Sequence, residues 1–344
     1  MIQWLEIPNA TKENAYREIS AETGISAFAV EKDWWVVQTL AVVFDMDAAS
    51  HLVFKGGTSL SKVWKLIQRF SEDIDLAIDR KFFGFNGDLS KNQRDKLKKT
   101  AGRYIDEVFY PDLTEHFTEA GCNVNVVLEP SPESDRDRKI SIYYPNVIPS
   151  PGYMKPMVQL EIGARSLREP FSPQSITSFL DEYYPGREFT FPPIQVPTVD
   201  PERTFLEKIF LLHEEFQRPP EKMRVDRLSR HLYDVYKLSK TKFTDRALDD
   251  KDLYNTIVDH RYHFNRVGGV DYNLHRPATI NPIPLPQVMP EWEKDYHTML
   301  EQMIYEKNPP SFEQLIEALT VLKRRINSLP WGLEYTYPVP DSKS

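Results

Sequence analysis

The chain has 344 residues, of which 40% are hydrophobic and 27% are charged, and its formal net charge is −8. The length allows about two domains, and the acidic balance argues against a protein that coats nucleic acid through bulk charge. No stretch of about 18 apolar residues could span a membrane, and the start of the chain lacks the basic and apolar regions of a secretory signal. The single cysteine, Cys122, excludes an internal disulfide, so we expect no disulfide partner and a cytoplasmic location.

The N-terminal part of the chain is predicted to be helical. Residues 11–46 have the spacing of one or two helices, and segment 27–44 is apolar enough to be buried. Glu31 and Asp33 interrupt that segment, and we interpret them as part of an exposed helix face with local ion pairs. Residues 51–54 then predict a short strand.

The most informative stretch is 54–79, which reads FKGGTSLSKVWKLIQRFSEDIDLAID. The pair Gly56 and Gly57 precedes a helical stripe that reaches residue 67, and the stretch ends on a strand with Asp73 and Asp75. Successive strand side chains point to opposite faces, so both carboxylates share one face. They repel each other unless a cation lies between them, and oxygen-only ligation suits Mg²⁺ held by carboxylates and substrate phosphates. Backbone N–H groups at the glycine pair offer a seat for phosphates, which predicts a nucleotide-handling site.

Further strands are predicted downstream of this stretch. Segment 81–109 reads as a loop and a basic helix, either a solvated face or a docking surface for an RNA backbone. Residues 122–129 and 138–144 predict an antiparallel hairpin, and 157–164 a strand that presents Glu161 as a candidate third carboxylate. Residues 181–201 are proline-rich and are interpreted as an irregular spacer at a domain boundary.

The C-terminal part is predicted to be mainly helical. A helix starts at Pro201 and carries Lys208 at the edge of its apolar face, and a second covers residues 224–240. A terminal helix is predicted over 311–329. We therefore expect three parts: 1–195, 196–335 and a tail at 336–344.

The glycine pair, short helix and D-x-D together resemble the signature of DNA polymerase β-type nucleotidyltransferases. The fuller string from Lys55 to Asp75, with the lead-in Glu31-Lys-Asp-Trp-Trp35, resembles the AbiEii/AbiGii toxin family, the toxin half of type IV toxin–antitoxin systems. The resemblance is clearest over 28–80. It implies an α+β protein, in which a polymerase-β-like nucleotidyltransferase domain with a small mixed sheet is followed by a C-terminal helical domain that closes the nucleotide cleft.

The resemblance also implies roles for individual residues. Asp73 and Asp75 would hold two Mg²⁺ ions, with Mn²⁺ as an alternative, and Glu161 would complete the site or help deprotonate the acceptor hydroxyl. The residues expected to contact the nucleotide are Gly56, Gly57, Thr58, Ser59, Lys62, Lys208, Arg230 and Asp234. Lys32 and Asp33 would brace the active-site loop. The family motif usually reads R-D-L-Y-D, whereas His231 replaces its first acidic residue here.

The implied reaction is transfer of NMP from an NTP to an RNA acceptor, with a tRNA 3′ end expected and pyrophosphate released. Growth arrest and an antitoxin encoded alongside are implied as well. Three alternatives remain open at this point: transfer to a protein or small-molecule hydroxyl, a catalytically inactive nucleotide-binding regulator, and a kinase-type phosphotransferase that releases NDP. The sequence does not select the base of the NTP.

Overall fold

The structure is a computed structural model that describes residues 2–71, 73–130, 137–150 and 155–339. The strands are β1 Leu52–Lys55, β2 Asp73–Ile78, β3 Asn125–Leu128, β4 Arg138–Tyr143, β5 Met157–Gly163, β6 Phe171–Ile176 and β7 Ile194–Val199. The helices are α1 Ile2–Glu6, α2 Asn9–Thr23, α3 Ala27–Val43, α4 Gly56–Thr58, α5 Lys91–Tyr104, α6 Tyr110–Glu119, α7 Phe179–Tyr183, α8 Pro201–Glu215, α9 Ser229–Ser239, α10 Lys242–Asp249, α11 Lys251–Phe264, α12 Met289–Gln302 and α13 Phe312–Asn327. No helix among these residues is long and apolar enough to cross a membrane.

In the described part of the chain, seven strands form one mixed sheet in the order β3-β4-β5-β2-β1-β7-β6. β2 lies antiparallel to β1 and parallel to β5. The predicted hairpin is the antiparallel pair of β3 and β4. This mixed sheet, together with the many helices, confirms the predicted α+β class.

The chain divides into two compact units. The first runs up to Trp64 and continues over Phe70–Val199, and the second combines Lys65–Arg69 with the chain from Asp200 onward. Five residues between the glycine pair and the D-x-D strand therefore belong to the second unit. The predicted functional division into 1–195, 196–335 and 336–344 stays a prediction.

In the first unit, α3 is buried on nearly all sides. Ser26 begins this helix, because its Oγ accepts a hydrogen bond from the Ala29 N–H at 3.2 Å. Apolar residues of β2 and β5 alternate with polar ones, so Ile74, Leu160 and Ile162 lie fully buried in the core. The alternation leaves the other face of both strands to the predicted site residues.

In the second unit, α9 packs against α8, α12 and α13. A capping box begins α13, since Ser311 and Gln314 each accept the other's backbone N–H, at 3.3 and 2.9 Å. The predicted terminal helix is thus confirmed at its start. The helix α12 was not predicted.

Two predictions of local structure are wrong. The proline-rich segment is not an irregular spacer, because it contains β7, in which Pro197 faces Pro173 of β6 while Thr198 pairs with Phe54 of β1. Prolines facing each other leave few ladder hydrogen bonds to lose. The helical stripe after the glycine pair also ends early, at Val63, because Lys65 has φ +51°, which a right-handed helix does not allow.

Candidate active site

The predicted catalytic strand β2 presents both of its carboxylates on one face. Asp73 and Asp75 are half-buried, whereas Ile74 and Leu76 between and beside them are buried in the core. The burial follows the two-residue period of a strand. The D-x-D pair therefore has the shared face that the sequence predicts.

A row of four charged residues crosses the sheet at Asp75. Lys55 of β1 and Glu161 of β5 are both in register with Asp75, and Lys139 of β4 is in register with Glu161. Residues directly opposite each other on adjacent strands point to the same face, with Cβ atoms about 5 Å apart. Lys139 forms an ion pair with Glu161. Two carboxylates are thus neighbours in the middle of the row, an arrangement that favours a cation between them.

The glycine pair lies directly against this carboxylate strand. Gly56 has φ +84°, and a Cβ atom placed on it would lie 2.0 Å from Oδ2 of Asp75. Both the backbone conformation and the close approach require glycine. Two residues later, the Thr58 hydroxyl donates a 2.5 Å hydrogen bond to the carbonyl oxygen of Asp73. The glycine turn and the D-x-D strand are therefore joined at both carboxylate positions.

Ser59 and Lys62, which the sequence predicts as nucleotide contacts, have partners within the protein. The Ser59 hydroxyl is fully buried and donates to the carbonyl oxygen of Gly56 at 2.9 Å. The Lys62 ammonium lies 2.8 Å from Oδ1 of Asp33 and 3.9 Å from the ring centroid of Phe179. Phosphate contact by Lys62 stays a prediction, and it requires this buried ion pair to open.

The lead-in on α3 is buried, so its interpretation as an exposed face is wrong. The two carboxylate oxygens of Glu31 accept the backbone N–H groups of residues 147–148, at 2.6 and 2.9 Å. Lys32 donates to the carbonyl oxygen of Lys155 at 3.2 Å, and Asp33 accepts the N–H of Phe179 at 2.8 Å. Asp33 also pairs with Lys62, but the partners named here are all more than 100 residues away in the chain. Helical spacing in the sequence does not reveal such distant partners.

A second cluster lies in the second unit, and we call its four residues Arg69, Lys208, His231 and Asp234 the Lys208 cluster. Nε and Nη2 of Arg69 each lie 2.7 Å from one oxygen of Asp234. The Lys208 ammonium lies 2.8 Å from Oδ2 of Asp234 and 3.4 Å from Nδ1 of His231. Helix α8 carries Lys208, and α9 carries His231 and Asp234.

Burial and charge set the protonation of this cluster. Burial alone would raise the pKa of Asp234, but Arg69 and Lys208 outweigh it and hold that pKa below its usual range. Burial lowers the pKa of Lys208, with Asp234 opposing and Arg69 adding to the effect. Burial and the neighbouring cations, Lys208 and Arg230, lower the pKa of His231 well below its ordinary value, so this ring is neutral at pH 7. Cations therefore outnumber the single carboxylate, as a phosphate site requires.

No role was predicted for Arg69 from the sequence. It stands four positions before Asp73, but its partner Asp234 lies 165 residues further along the chain. Asp234 is fully buried in this ion pair, and its predicted nucleotide contact, like that of Arg230, stays a prediction. In the sequence, Arg230 stands four positions before Asp234, a spacing typical of a local helix-surface ion pair, and no local pattern points to Arg69.

The β2 face fits a magnesium ion only with help from a substrate. Among the described residues, no group of three or more His, Cys, Asp or Glu side chains could hold a metal. Asp73 and Asp75 offer an oxygen-only donor set, and Gly56 leaves room beside Asp75 that a Cβ would fill. Mg²⁺ is commonly held by one or two carboxylates, with phosphates and water completing its shell. These residues therefore fit a magnesium ion that arrives with a nucleotide.

The chain was compared with known structures, curated sequences and family models. A solved structure of the MenT4 nucleotidyltransferase toxin from Mycobacterium tuberculosis matches with a TM-score of 0.44 and 14% identity, over 92% of this chain and 99% of that one. No curated protein sequence matches the chain. The sequence-family model of the AbiEii nucleotidyl transferase toxins of type IV toxin–antitoxin systems matches residues 40–318, which is most of the chain. The chain therefore belongs to the AbiEii family of nucleotidyltransferase toxins.

Proposed function

We propose that this toxin transfers NMP from an NTP to an RNA acceptor in a metal-dependent reaction, that the acceptor is a tRNA 3′ end, and that growth arrest follows. The observation that carries the proposal is the contact between Gly56 and Asp75, which sets a glycine turn against a pair of carboxylates on one strand face. Phosphates and a divalent cation bind to those two kinds of feature. The two features adjoin, as they must when one ligand carries both.

Asp73 and Asp75 would hold Mg²⁺, or Mn²⁺, together with the triphosphate. When bound, two such ions stabilise the attacking and leaving oxygens of an in-line displacement. Glu161 lies in register with Asp75 and would accept the proton of the acceptor hydroxyl. Lys139 forms an ion pair with Glu161 and would orient its carboxylate for that role.

The phosphates would be bound by backbone and side-chain donors. Gly56 and Gly57 open the helical turn α4, where N–H groups lack partners within the helix. Lys208 would contact the β- and γ-phosphates, whose charge its ammonium offsets. The expected contact by Thr58 would use its backbone N–H, since its hydroxyl is bonded to Asp73.

An RNA acceptor is supported by the exposed basic residues of α5. Lys96, Lys99 and Arg103 are exposed and recur at i, i+3 and i+7, so they share one helix face. Such cations attract phosphates without reading sequence. We place the reaction in the cytoplasm, where tRNA is present, and expect an antitoxin encoded alongside to counteract it.

The test is a labelling assay with purified protein, magnesium, total tRNA and each α-labelled NTP in turn. We expect label in RNA with the wild type and none with Asp73→Asn or Asp75→Asn, which keep side-chain size and remove charge. Asp95→Asn on α5, whose side chain is half exposed, is the matched control and should retain labelling. Label on protein would move the acceptor to a polypeptide. Parallel reactions with γ-labelled NTPs are included, and label from these but not from α-labelled NTPs would indicate a phosphotransferase. No label with any NTP would contradict the proposal and leave a nucleotide-binding regulator.

A further inference from the structure

We propose that Arg69 is a positioning residue for the nucleotide-binding amine of Lys208, and that it acts through Asp234. The inference rests on the proposed function, because it assumes that Lys208 binds the triphosphate. It adds a role for an arginine outside the predicted site and redefines Asp234 as the group through which Arg69 and Lys208 are coupled.

The geometry shows how the carboxylate is shared. Arg69 contacts both oxygens of Asp234 at 2.7 Å, which fixes the plane of the carboxylate, and Lys208 lies 2.8 Å from Oδ2. A bidentate guanidinium pair is both strong and directional. Lys208 therefore shares an acceptor whose charge is already largely offset. Without Arg69, the whole charge of Asp234 would act on Lys208 alone and hold its ammonium more tightly.

The backbone at Arg69 is held in place by hydrogen bonds to residues far away in the chain. The backbone N–H of Gln68 donates to the Tyr233 hydroxyl at 3.2 Å, and the backbone carbonyl oxygen of Gln68 accepts the N–H of Tyr305 at 3.1 Å. Arg69 forms an isolated β-bridge with Ile304. A positioning group must have a fixed backbone to place another side chain, and Arg69 has one.

Because Lys208 shares Asp234 with Arg69, its ammonium keeps hydrogen-bond donors for a ligand. An ammonium carries three N–H groups. Asp234 takes one, and the neutral His231 ring lies 3.4 Å away as a weak second acceptor. Besides Asp234, the groups that act on Lys208 include the cations Arg69 and Arg230 and the neutral ring of His231. The amine therefore keeps donors for an anionic ligand.

The experiment measures the Kd of α-labelled ATP, GTP, CTP and UTP by equilibrium dialysis with MgCl₂ and without RNA. For any NTP that the wild type binds, we expect Arg69→Met to raise the Kd about tenfold and Lys208→Met to raise it at least as much. Arg69→Met/Lys208→Met should match Lys208→Met alone, because Arg69 acts only through Lys208. Arg69→Lys should give an intermediate Kd, since a lysine keeps the charge but cannot form the bidentate pair.

Arg261 provides the matched control. It forms a bidentate pair with Glu214 in the same unit, largely but not fully buried, with Nε 2.7 Å from Oε1. Arg261→Met and Arg261→Lys lose comparable pairs and should leave the Kd unchanged. If Arg69→Met does not fold, as judged by its thermal melt, the comparison of Arg69→Lys with Arg261→Lys decides.

The pH dependence separates positioning from simple loss of structure. Arg69 lowers the pKa of Lys208, so Lys208 should lose its proton at a higher pH in Arg69→Met than in the wild type. The pH at which NTP affinity falls should therefore be higher in Arg69→Met, although this variant binds NTP more weakly at pH 7. Additive effects in the double variant, or an equal loss in the Arg261 variants, would overturn the positioning role while the proposed function stood. A wild type that binds none of the four NTPs would overturn both.

Discussion

The ion pair between Lys62 and Asp33 allows a sharp test of what Lys62 does. Lys62 was predicted to contact phosphate, yet its ammonium is buried 2.8 Å from Asp33, whose other partner is the N–H of Phe179. If the pair is a brace for the helical turn after Gly56, Lys62→Met should destabilise the protein. A residue whose only role is phosphate contact would instead affect NTP binding.

The size of the effect follows from the surroundings of Asp33. Removing one partner of a buried ion pair costs about 3–5 kcal/mol, because a charge stays buried without compensation. The remaining hydrogen bond from Phe179 offsets about 1 kcal/mol, so we expect a loss of about 3 kcal/mol. Replacing both partners in Asp33→Leu/Lys62→Met removes the buried charge and should recover about 2 kcal/mol.

Guanidinium chloride unfolding of the wild type and of both variants measures these differences, and the KM for the NTP is measured beside them. The brace predicts that the double variant is more stable than Lys62→Met. Unchanged stability in Lys62→Met with a raised KM, and no recovery in the double variant, would refute the brace and favour phosphate contact. Burial raises the pKa of Asp33 despite the opposing charge of Lys62, so the destabilisation in Lys62→Met should also ease at acidic pH.

Three further predictions concern single residues. Gly56→Ala should reduce transfer in a labelling assay about 100-fold, because the new Cβ would displace the Asp75 carboxylate. Gly84→Ala is the control and should retain activity, because Gly84 has a similar φ of +78° and open space around it. Equal losses of transfer in the two variants would count against the contact between Gly56 and Asp75. Burial raises the pKa of Glu31 from 4.5 to about 7, so the folded state binds the extra proton and stability should fall by about 3 kcal/mol as the pH rises from 4.5 to 7. Glu31→Gln should flatten that profile in unfolding experiments, and an unchanged slope would contradict the assignment. His231→Asp should weaken NTP binding several-fold in equilibrium dialysis, because a second carboxylate beside Lys208 opposes the phosphates; tighter binding would show that the neutral ring is not needed.

Local patterns in the sequence predicted the parts of the site that are close together in the chain. The two-residue period of β2 predicted Asp73 and Asp75 on one face, and the glycine pair drew attention to the turn in which Gly56 has a positive φ. The strand of Glu161 was predicted from its alternation. Its register beside Asp75 required the parallel pairing of β2 with β5, which no local pattern encodes.

The parts that were missed depend on partners far away in the chain. Asp33 and Glu31 have the spacing of a helix surface, and only the fold shows that their partners offset the cost of burying their charge. Arg69 is similar, because a bidentate pair with Asp234 joins residues 165 positions apart. A buried charge looks like a surface charge in sequence until its partner is known.

The proposed reaction depends above all on Asp73 and Asp75, which would hold the metal that accompanies the nucleotide. Crystals grown with Mn²⁺ and a non-hydrolysable NTP analogue test it directly, because manganese is located by its anomalous scattering. We expect manganese to be coordinated by both carboxylates and by phosphate oxygens, with the glycine turn at the phosphates. A bound nucleotide with no manganese at these two residues, or with the metal held elsewhere, would contradict it.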